Sequence, residues 1–257
     1  MNNEFVSIMT ERIVREFDPL QIILFGSQAR GDAAQDSDID LLIVFEKLAD
    51  KDKRKTAVDI RVALADLPVA KDIVVTTPEE LEHHRTRIGS VLRYAQQEGK
   101  ILWKNWNTAV PCRMPNKEVN AAMQTADQLA YTARWLRHAE EDLTTAETFL
   151  GHPHVPPRQS CWFAQQATEK ALKAALIFGQ IDFRRTHDLN VLRDMLPENW
   201  HLKTELPNLE NLNRWAVQVR YPKAAQEPTE TDASTAVEHA RTVWISVSTE
   251  LAQRGSL

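Results

Sequence analysis

One segment near the N-terminus constrains the fold of this chain more than any other. A short apolar run, QIILF at 21–25, ends abruptly at Gly26, and a second run, LLIV at 41–44, comes directly after Asp40. Runs of this length bounded by turn residues are typical of buried strands. Because side chains alternate along a strand, Asp38 and Asp40 are predicted to leave the same face. The sequence therefore predicts a sheet with two aspartates at the start of one strand.

Helical and strand-like patterns alternate through the first hundred residues. A charged segment after residue 50 carries apolar residues that we interpret as the buried side of an amphipathic helix: Val58, Ile60, Val62, Leu64 and Leu67. A third short apolar run follows Asp72, and the segment 98–103, EGKILW, has the composition of a last strand. This alternation predicts a small mixed α/β (α+β) domain over residues 1–105.

The second half of the chain has only helical periodicity. Pro111 and Pro115 interrupt a polar stretch, which predicts a linker over residues 106–128. Apolar residues then repeat at helical spacing in segments that predict an all-α helical bundle over residues 129–257: Tyr131–Leu150, Ser160–Phe178, Asp188–Leu196, Leu209–Val219 and a last helix from about Thr231. Lys170 and Lys173 are expected on a solvated face of this bundle.

Composition limits the classes of function. A net charge of −5 at pH 7 argues against a nucleic-acid-binding surface over the whole protein, although a local basic groove passes this test, so nucleic acid as a partner stays an open question. Cys112 and Cys161 lie far apart and fit reduced thiols, and His152 and His154 fit a surface loop better than a metal site. No apolar run is long enough to cross a bilayer, so we expect a cytoplasmic protein without a membrane partner.

A phosphate-binding turn is one interpretation of the residues after the first strand. Gly26 allows a ligand to approach the backbone closely, Ser27 offers a hydroxyl, and Arg30 offers a guanidinium that can pair with phosphate oxygens. A tight turn with a helix cap is the alternative, which a Gly-Ser pair alone does not exclude. The neighbouring aspartates favour the phosphate-binding interpretation.

The aspartates themselves predict a metal site. Two like charges on one face of a strand repel each other, and a hard divalent cation such as Mg²⁺ or Mn²⁺ would neutralise Asp38 and Asp40. Asp72 precedes IVV as Asp40 precedes LLIV, so an adjacent strand would carry it to the same place, as a third metal ligand or a general base. The alternative is an acidic turn in solvent whose aspartates cap backbone groups.

This pattern resembles the minimal nucleotidyltransferase domains of the DNA polymerase beta superfamily. The residues that carry the resemblance are Gly26-Ser27, Arg30-Gly31, Ser37-Asp38-Ile39-Asp40 and Asp72. Gln28 stands where many members have arginine. The resemblance covers roughly residues 1–105 and implies that Ser27, Asp38 and Asp40 bind a nucleoside triphosphate and metal, with Asp72 completing the site.

The helical half resembles a HEPN domain. The residues concerned are Ala139–Leu143, Phe163–Leu176, Thr186–Leu189, Arg220–Pro222 and Pro228–Glu230. HEPN domains often accompany minimal nucleotidyltransferases, fused or as toxin and antitoxin, and commonly dimerise, so the resemblance implies a homodimer through this domain. Ribonuclease members carry an arginine and, with four to six residues in between, a histidine. Here Arg214 is followed at those places by Val219, Arg220 and Tyr221, which argues against RNA cleavage.

The two resemblances together imply a metal-dependent enzyme that transfers a nucleoside monophosphate, AMP from ATP, to an unidentified acceptor. The helical domain would bind the acceptor, a nucleotide or a second protomer. A nucleotide-sensing module without turnover and a toxin-antitoxin-derived HEPN protein stay open, as does a drug-modifying enzyme, by analogy of layout alone. In paired systems of this type the nucleotidyltransferase can modify a tyrosine of its HEPN partner. Tyr221 stands at the matching place, or simply ends a helix with its neighbours.

Overall fold

The chain divides into two compact units. A computed structural model describes residues 2–33, 37–105, 117–183, 186–206, 208–215 and 227–254. The first unit spans residues 1–114 and the second spans residues 115–257. Among the residues described, none of the helices combines the length and the apolarity that crossing a bilayer requires.

The first unit is a four-stranded mixed sheet with helices. Its elements in chain order are α1 (Asn2–Phe17), β1 (Gln21–Phe25), α2 (Gly26–Arg30), β2 (Ile39–Val44), α3 (Asp50–Ala63), β3 (Lys71–Thr76), α4 (Pro78–His84), α5 (Val91–Glu98) and β4 (Lys100–Lys104). The strand order is β3-β2-β1-β4. Strand β1 is antiparallel to β2 and to β4, whereas β2 and β3 are parallel. The small mixed sheet predicted from the sequence is confirmed.

Both faces of the inner strands β1 and β2 are covered, which explains why these two strands are almost continuously apolar. One face buries Ile22, Leu24, Leu41 and Ile43 together with residues of α1 and α3. The opposite face buries Ile23, Phe25 and Leu42 against residues of α5, including Leu92 and Ala95. The polar ends of these strands, rather than their buried faces, are therefore accessible to a ligand.

Helix α3 differs from its predicted packing. Ala57 and Ile60 are buried within it and Leu64 just after it, whereas Val58 and Val62 are exposed. Residues two apart lie about 200° apart around a helix, so Val58 and Val62 cannot share a face with Ile60. The helix was predicted correctly, but two of its five expected core residues were wrong.

The second unit is helical. Its elements are α6 (Lys117–Phe149), α7 (Pro157–Phe178), α8 (Leu189–Asp194), α9 (Leu202–Glu205), α10 (Glu210–Asn213) and α11 (Glu230–Gln253). Helix α7 packs against both α6 and α11 and buries a series of alanines, which allows close approach of the neighbouring helices. A capping box of Thr229 and Asp232 begins α11. The predicted helical region is confirmed, and α6 begins within the segment 106–128 that we predicted as a linker.

Two lysines of α7 are not on a solvated face as expected. Lys170 forms an ion pair with Asp142 of α6. Lys173 donates to Glu169 at 2.6 Å and lies 5.9 Å from the centre of the Trp135 ring. The sequence pattern did not predict the partial burial of these lysines, because their acidic and aromatic partners are set by tertiary packing as well as by helical spacing.

Candidate functional site

The turn after β1 leads directly into a short helix. Helix α2 begins directly after the strand, and Gly26, its first residue, has φ of +72°. The helix ends after one turn at Gly31, which has φ of +86° and donates its backbone N–H to the Ser27 carbonyl at 3.0 Å. Positive φ is strained for a residue with a side chain, so both glycines are conformationally required.

Gly26 lies directly against the carboxylate of Asp40. A Cβ atom placed on Gly26 would come within 2.1 Å of Asp40 Oδ2, a distance that two non-bonded heavy atoms do not reach. In the ladder, Phe25 is the register partner of Asp40, so the end of β1 and the start of β2 meet at this point. The structure thus brings the predicted phosphate-binding turn and one predicted metal ligand into contact.

Asp40 and Asp72 lie side by side at the starts of β2 and β3. Asp40 and Asp72 are register partners on the parallel strands β2 and β3, so their side chains leave the same face about one strand spacing apart. Asp38 precedes β2 by one residue and is exposed. The adjacency of Asp72 to Asp40, inferred from the sequence, is therefore present in the fold.

Asp72 already has a cationic partner. Arg61 of α3 donates from Nη2 to Asp72 Oδ1 at 3.2 Å and to the backbone carbonyl of Ile73, also at 3.2 Å. Within the described ranges, no three His, Cys, Asp or Glu side chains come together as a group that could hold a metal ion. Asp40 and Asp72 supply the hard oxygen donors that Mg²⁺ or Mn²⁺ prefers, in adjacent register, but Asp72 is bound to Arg61.

Arg30 is engaged by carboxylates. It donates to Asp32 at 3.0 Å and to Glu98 of α5 at 3.1 Å, and these hydrogen bonds, above all the one that Asp32 accepts, raise the pKa of its guanidinium. It therefore links α2 to α5. These two hydrogen bonds use Nε and Nη1 of the guanidinium, and the role of Arg30 in phosphate binding stays a prediction.

The contacts of two residues near the site, Gln28 and Arg61, were not predicted from the sequence. Gln28 donates from Nε2 to the Ser37 carbonyl at 3.2 Å and so holds the residue before Asp38 against α2. The family pattern drew attention to Gln28 only as a replacement for arginine. Arg61 carried no local signal, because its partner Asp72 lies eleven residues away on another element.

The candidate residues of the helical unit are mainly structural. Burial, with the nearby charge of Asp232, raises the pKa of the Cys161 thiol to about 12, which leaves it protonated and unreactive. Arg214 pairs with Asp232 at 2.7 Å, and its guanidinium carbon lies 4.2 Å from the centre of the Trp215 ring. Arg220, Tyr221 and Pro222 lie outside the described residues.

Comparison with family models assigns both units. A model described as a nucleotidyltransferase domain matches residues 7–99, and a model described as a HEPN domain matches residues 132–249. The chain joins a nucleotidyltransferase domain to a HEPN domain. The region 21–44, on which the sequence argument depended, lies inside the nucleotidyltransferase match.

A curated relative of this nucleotidyltransferase–HEPN chain is MJ1304 of Methanocaldococcus jannaschii, which is named as a candidate toxin. The two are 35% identical over 102 residues, covering 37% of this chain and 66% of the relative. The chain therefore spans just under two thirds of the length of that relative.

Solved structures give weaker likenesses. TT1696 from Thermus thermophilus has a TM-score of 0.42 at 25% identity over 47% of this chain and 98% of its own. ST0689, described as an archaeal HEPN homologue, has a TM-score of 0.38 at 25% identity over 47% and 97%. Spectinomycin adenyltransferase AAD(9) from Enterococcus faecialis, solved with ATP and spectinomycin, has a TM-score of 0.44 at 14% identity over 96% and 99%. These scores are too low to identify a substrate or an acceptor.

Proposed function

We propose that this protein transfers a nucleoside monophosphate, AMP from ATP, to an acceptor in a reaction that depends on a divalent cation. The observation that carries the proposal is the contact between Gly26 and Asp40, at the point where β2 places Asp40 in register with Asp72. A turn without a side chain beside paired carboxylates suits a polyphosphate bound together with a cation.

Each residue of the proposed site would have its own role in the transfer reaction. Asp38 and Asp40 would hold Mg²⁺ or Mn²⁺, and Asp72 would complete the group or take a proton from the acceptor. Ser27 and the backbone of the turn would bind phosphate oxygens, with Gly26 leaving room for them. The cation, when bound, would stabilise negative charge on the triphosphate and on the leaving pyrophosphate.

The sharpest test changes the aspartates. We expect Asp38→Asn and Asp40→Asn each to lower pyrophosphate release from ATP and Mg²⁺ by about 100-fold or more, because each removes a charge that holds the cation. The melting temperature should change little, since Asp38 is exposed and Asp40 is only partly buried. Asp59→Asn, a change at a carboxylate on α3 outside the site, is the matched control.

Wild-type turnover in either site variant, or full turnover in the presence of a chelator, would contradict the proposed metal site. Supplying each labelled nucleoside triphosphate in turn, and scoring label on protein, RNA and small molecules, identifies the donor and the acceptor class. The experiment also separates transfer from sensing, because a sensing module binds the triphosphate without releasing pyrophosphate.

Self-modification is the acceptor hypothesis that the chain itself makes testable. Tyr221 lies in the same polypeptide as the nucleotidyltransferase domain, and tethering raises the effective concentration of an acceptor. Mass spectrometry after incubation with ATP and Mg²⁺ should find an adenylyl adduct on Tyr221 that is absent from Asp38→Asn. An unmodified Tyr221 in a protein that still releases pyrophosphate would point to an external acceptor.

A ribonuclease toxin is the second candidate function, favoured by the name of the Methanocaldococcus jannaschii relative. The sequence lacks the arginine-to-histidine spacing of ribonuclease members, and Arg214 is paired with Asp232. RNA cleavage by the pure full-length chain that is lost in Arg214→Ala would favour this function over nucleotidyl transfer.

A further inference from the structure

Arg61 is the cationic side chain that contacts the third predicted metal ligand. Its Nη2 lies 3.2 Å from Asp72 Oδ1, and the exposed fractions of the two side chains are 44% and 45%. The same nitrogen lies 3.2 Å from the carbonyl oxygen of Ile73. Strand β3 is at the edge of the sheet, and Arg61 therefore satisfies an edge carbonyl as well as a carboxylate.

The contact between Arg61 and Asp72 affects the repulsion between the carboxylates of Asp40 and Asp72. Asp40 and Asp72 are neighbours on parallel strands, and like charges at that spacing repel. Arg61 supplies a positive charge to Asp72 in the absence of a metal ion. A divalent cation bound by Asp40 would supply charge to the same carboxylate, so the two cations are alternatives for Asp72.

The position of Arg61 allows that exchange. Because Arg61 also donates to the Ile73 carbonyl, its guanidinium keeps a partner when Asp72 turns away. Asp72 is nearly half exposed, so its side chain has room to rotate. The ion pair can therefore open without removing every hydrogen-bond acceptor from the guanidinium.

We propose that Arg61 sets the metal affinity of this site by competing with a divalent cation for the carboxylate of Asp72. The proposal rests on the proposed function, since it requires Asp38 and Asp40 to bind the cation. Arg61 is thus a positioning residue, which acts on the metal through Asp72 and does not itself touch the reacting atoms.

Titration of the protein with Mn²⁺, without nucleotide, tests this directly. We expect Arg61→Gln to bind Mn²⁺ about two- to fivefold more tightly than wild type, the size of effect typical of one exposed ion pair. Glutamine keeps a hydrogen-bond donor at this position and removes the positive charge of arginine. Arg85→Gln is the control, since Arg85 forms an exposed ion pair with Glu82 in the same unit.

A double-mutant cycle separates competition at Asp72 from the general loss of a positive charge. In the Asp72→Asn background, Arg61→Gln should no longer tighten Mn²⁺ binding, because the contested carboxylate is gone. If Arg61→Gln tightens binding equally in both backgrounds, or Arg85→Gln has the same effect, competition for Asp72 is wrong.

The outcomes distinguish this inference from the proposed function. If wild type does not bind Mn²⁺, or Asp40→Asn binds it as tightly as wild type, the metal site itself is wrong and the inference fails with it. If the metal site holds but a folded Arg61→Gln binds Mn²⁺ no more tightly than wild type, only the role of Arg61 is overturned. Arg61→Lys, which keeps the charge, should bind Mn²⁺ close to the wild-type affinity.

Discussion

Carboxylates in the two units of this chain differ in their exposure to solvent and in the number of groups that donate hydrogen bonds to them. In the nucleotidyltransferase unit Asp38 is exposed and Asp72 is 45% exposed, with one cation beside it. In the HEPN unit the side chain of Glu169 is only 8% exposed and accepts hydrogen bonds from Lys173, His187 and Gln165. Carboxylates in contact with solvent can exchange their partners for a cation. A buried carboxylate that accepts three hydrogen bonds can do so only at a large cost in free energy.

Glu250 repeats the second arrangement. It accepts from His201 Nδ1 at 2.8 Å and from Arg254 Nη2 at 2.6 Å, and its side chain is 6% exposed. Both glutamates therefore join segments distant in sequence to the long helices α7 and α11. The difference between the units predicts that changes at the sheet edge act on chemistry, whereas changes at these glutamates act on stability.

The largest expected effect is at Gly26. Gly26→Ala should lower pyrophosphate release by about 100-fold or more, because its Cβ would collide with Asp40 Oδ2 and displace a metal ligand. Gly31→Ala is a close control: Gly31 also has positive φ, so the backbone strain is similar, but its Cβ would meet no atom within 4 Å. Equal activities of the two variants would show that the Gly26–Asp40 contact has no catalytic importance.

The second effect concerns the stability of the HEPN unit. Burial by itself raises the pKa of Glu169, but the hydrogen bond from His187 and the charges of Lys173 and His187 outweigh it and lower the pKa to about 2, from an ordinary 4.5. A folded-state pKa below the unfolded value stabilises the protein above pH 4.5, by about 3 kcal/mol, and this contribution disappears as the pH falls towards 2.

Glu169→Gln should therefore lower the free energy of unfolding at pH 7 by about 3 kcal/mol and remove this part of the acid dependence. Chemical denaturation at several pH values between 2 and 7 measures both. Glu198→Gln, at an almost fully exposed glutamate that pairs with Lys203, should change stability by less than about 0.5 kcal/mol. A pH-independent difference between wild type and Glu169→Gln would contradict the assignment of the charge.

The smallest effect is expected at Ser27. Ser27→Ala should weaken binding or turnover of ATP by roughly two- to tenfold, the loss of one hydrogen bond, because backbone N–H groups of the turn remain. Comparison of KM with kcat shows whether the hydroxyl binds the ground state or only the transition state. A loss as large as that of Asp40→Asn would mean that Ser27 does more than bind phosphate.

Local patterns in the sequence predicted the strands of the first unit, helix α3 and the adjacency of Asp40 and Asp72, but not helices α4 and α5. The short apolar runs that end at Gly26 or follow an aspartate are recognisable in the sequence, because a strand followed by a turn depends on residues that are neighbours in the chain. Val58 and Val62 are exposed although they are apolar, because apolar character alone does not tell which side of α3 faces the core.

Only the tertiary structure decided which charged groups meet. The contacts Arg61–Asp72 and His187–Glu169 join residues 11 and 18 positions apart, and Glu250 meets His201 over 49 positions. An ion pair depends on the positions of two side chains in space, and those positions follow from the packing of whole elements rather than from spacing along the chain. The sequence therefore predicted a metal site at Asp38, Asp40 and Asp72, whereas the fold determined that Arg61 contacts Asp72.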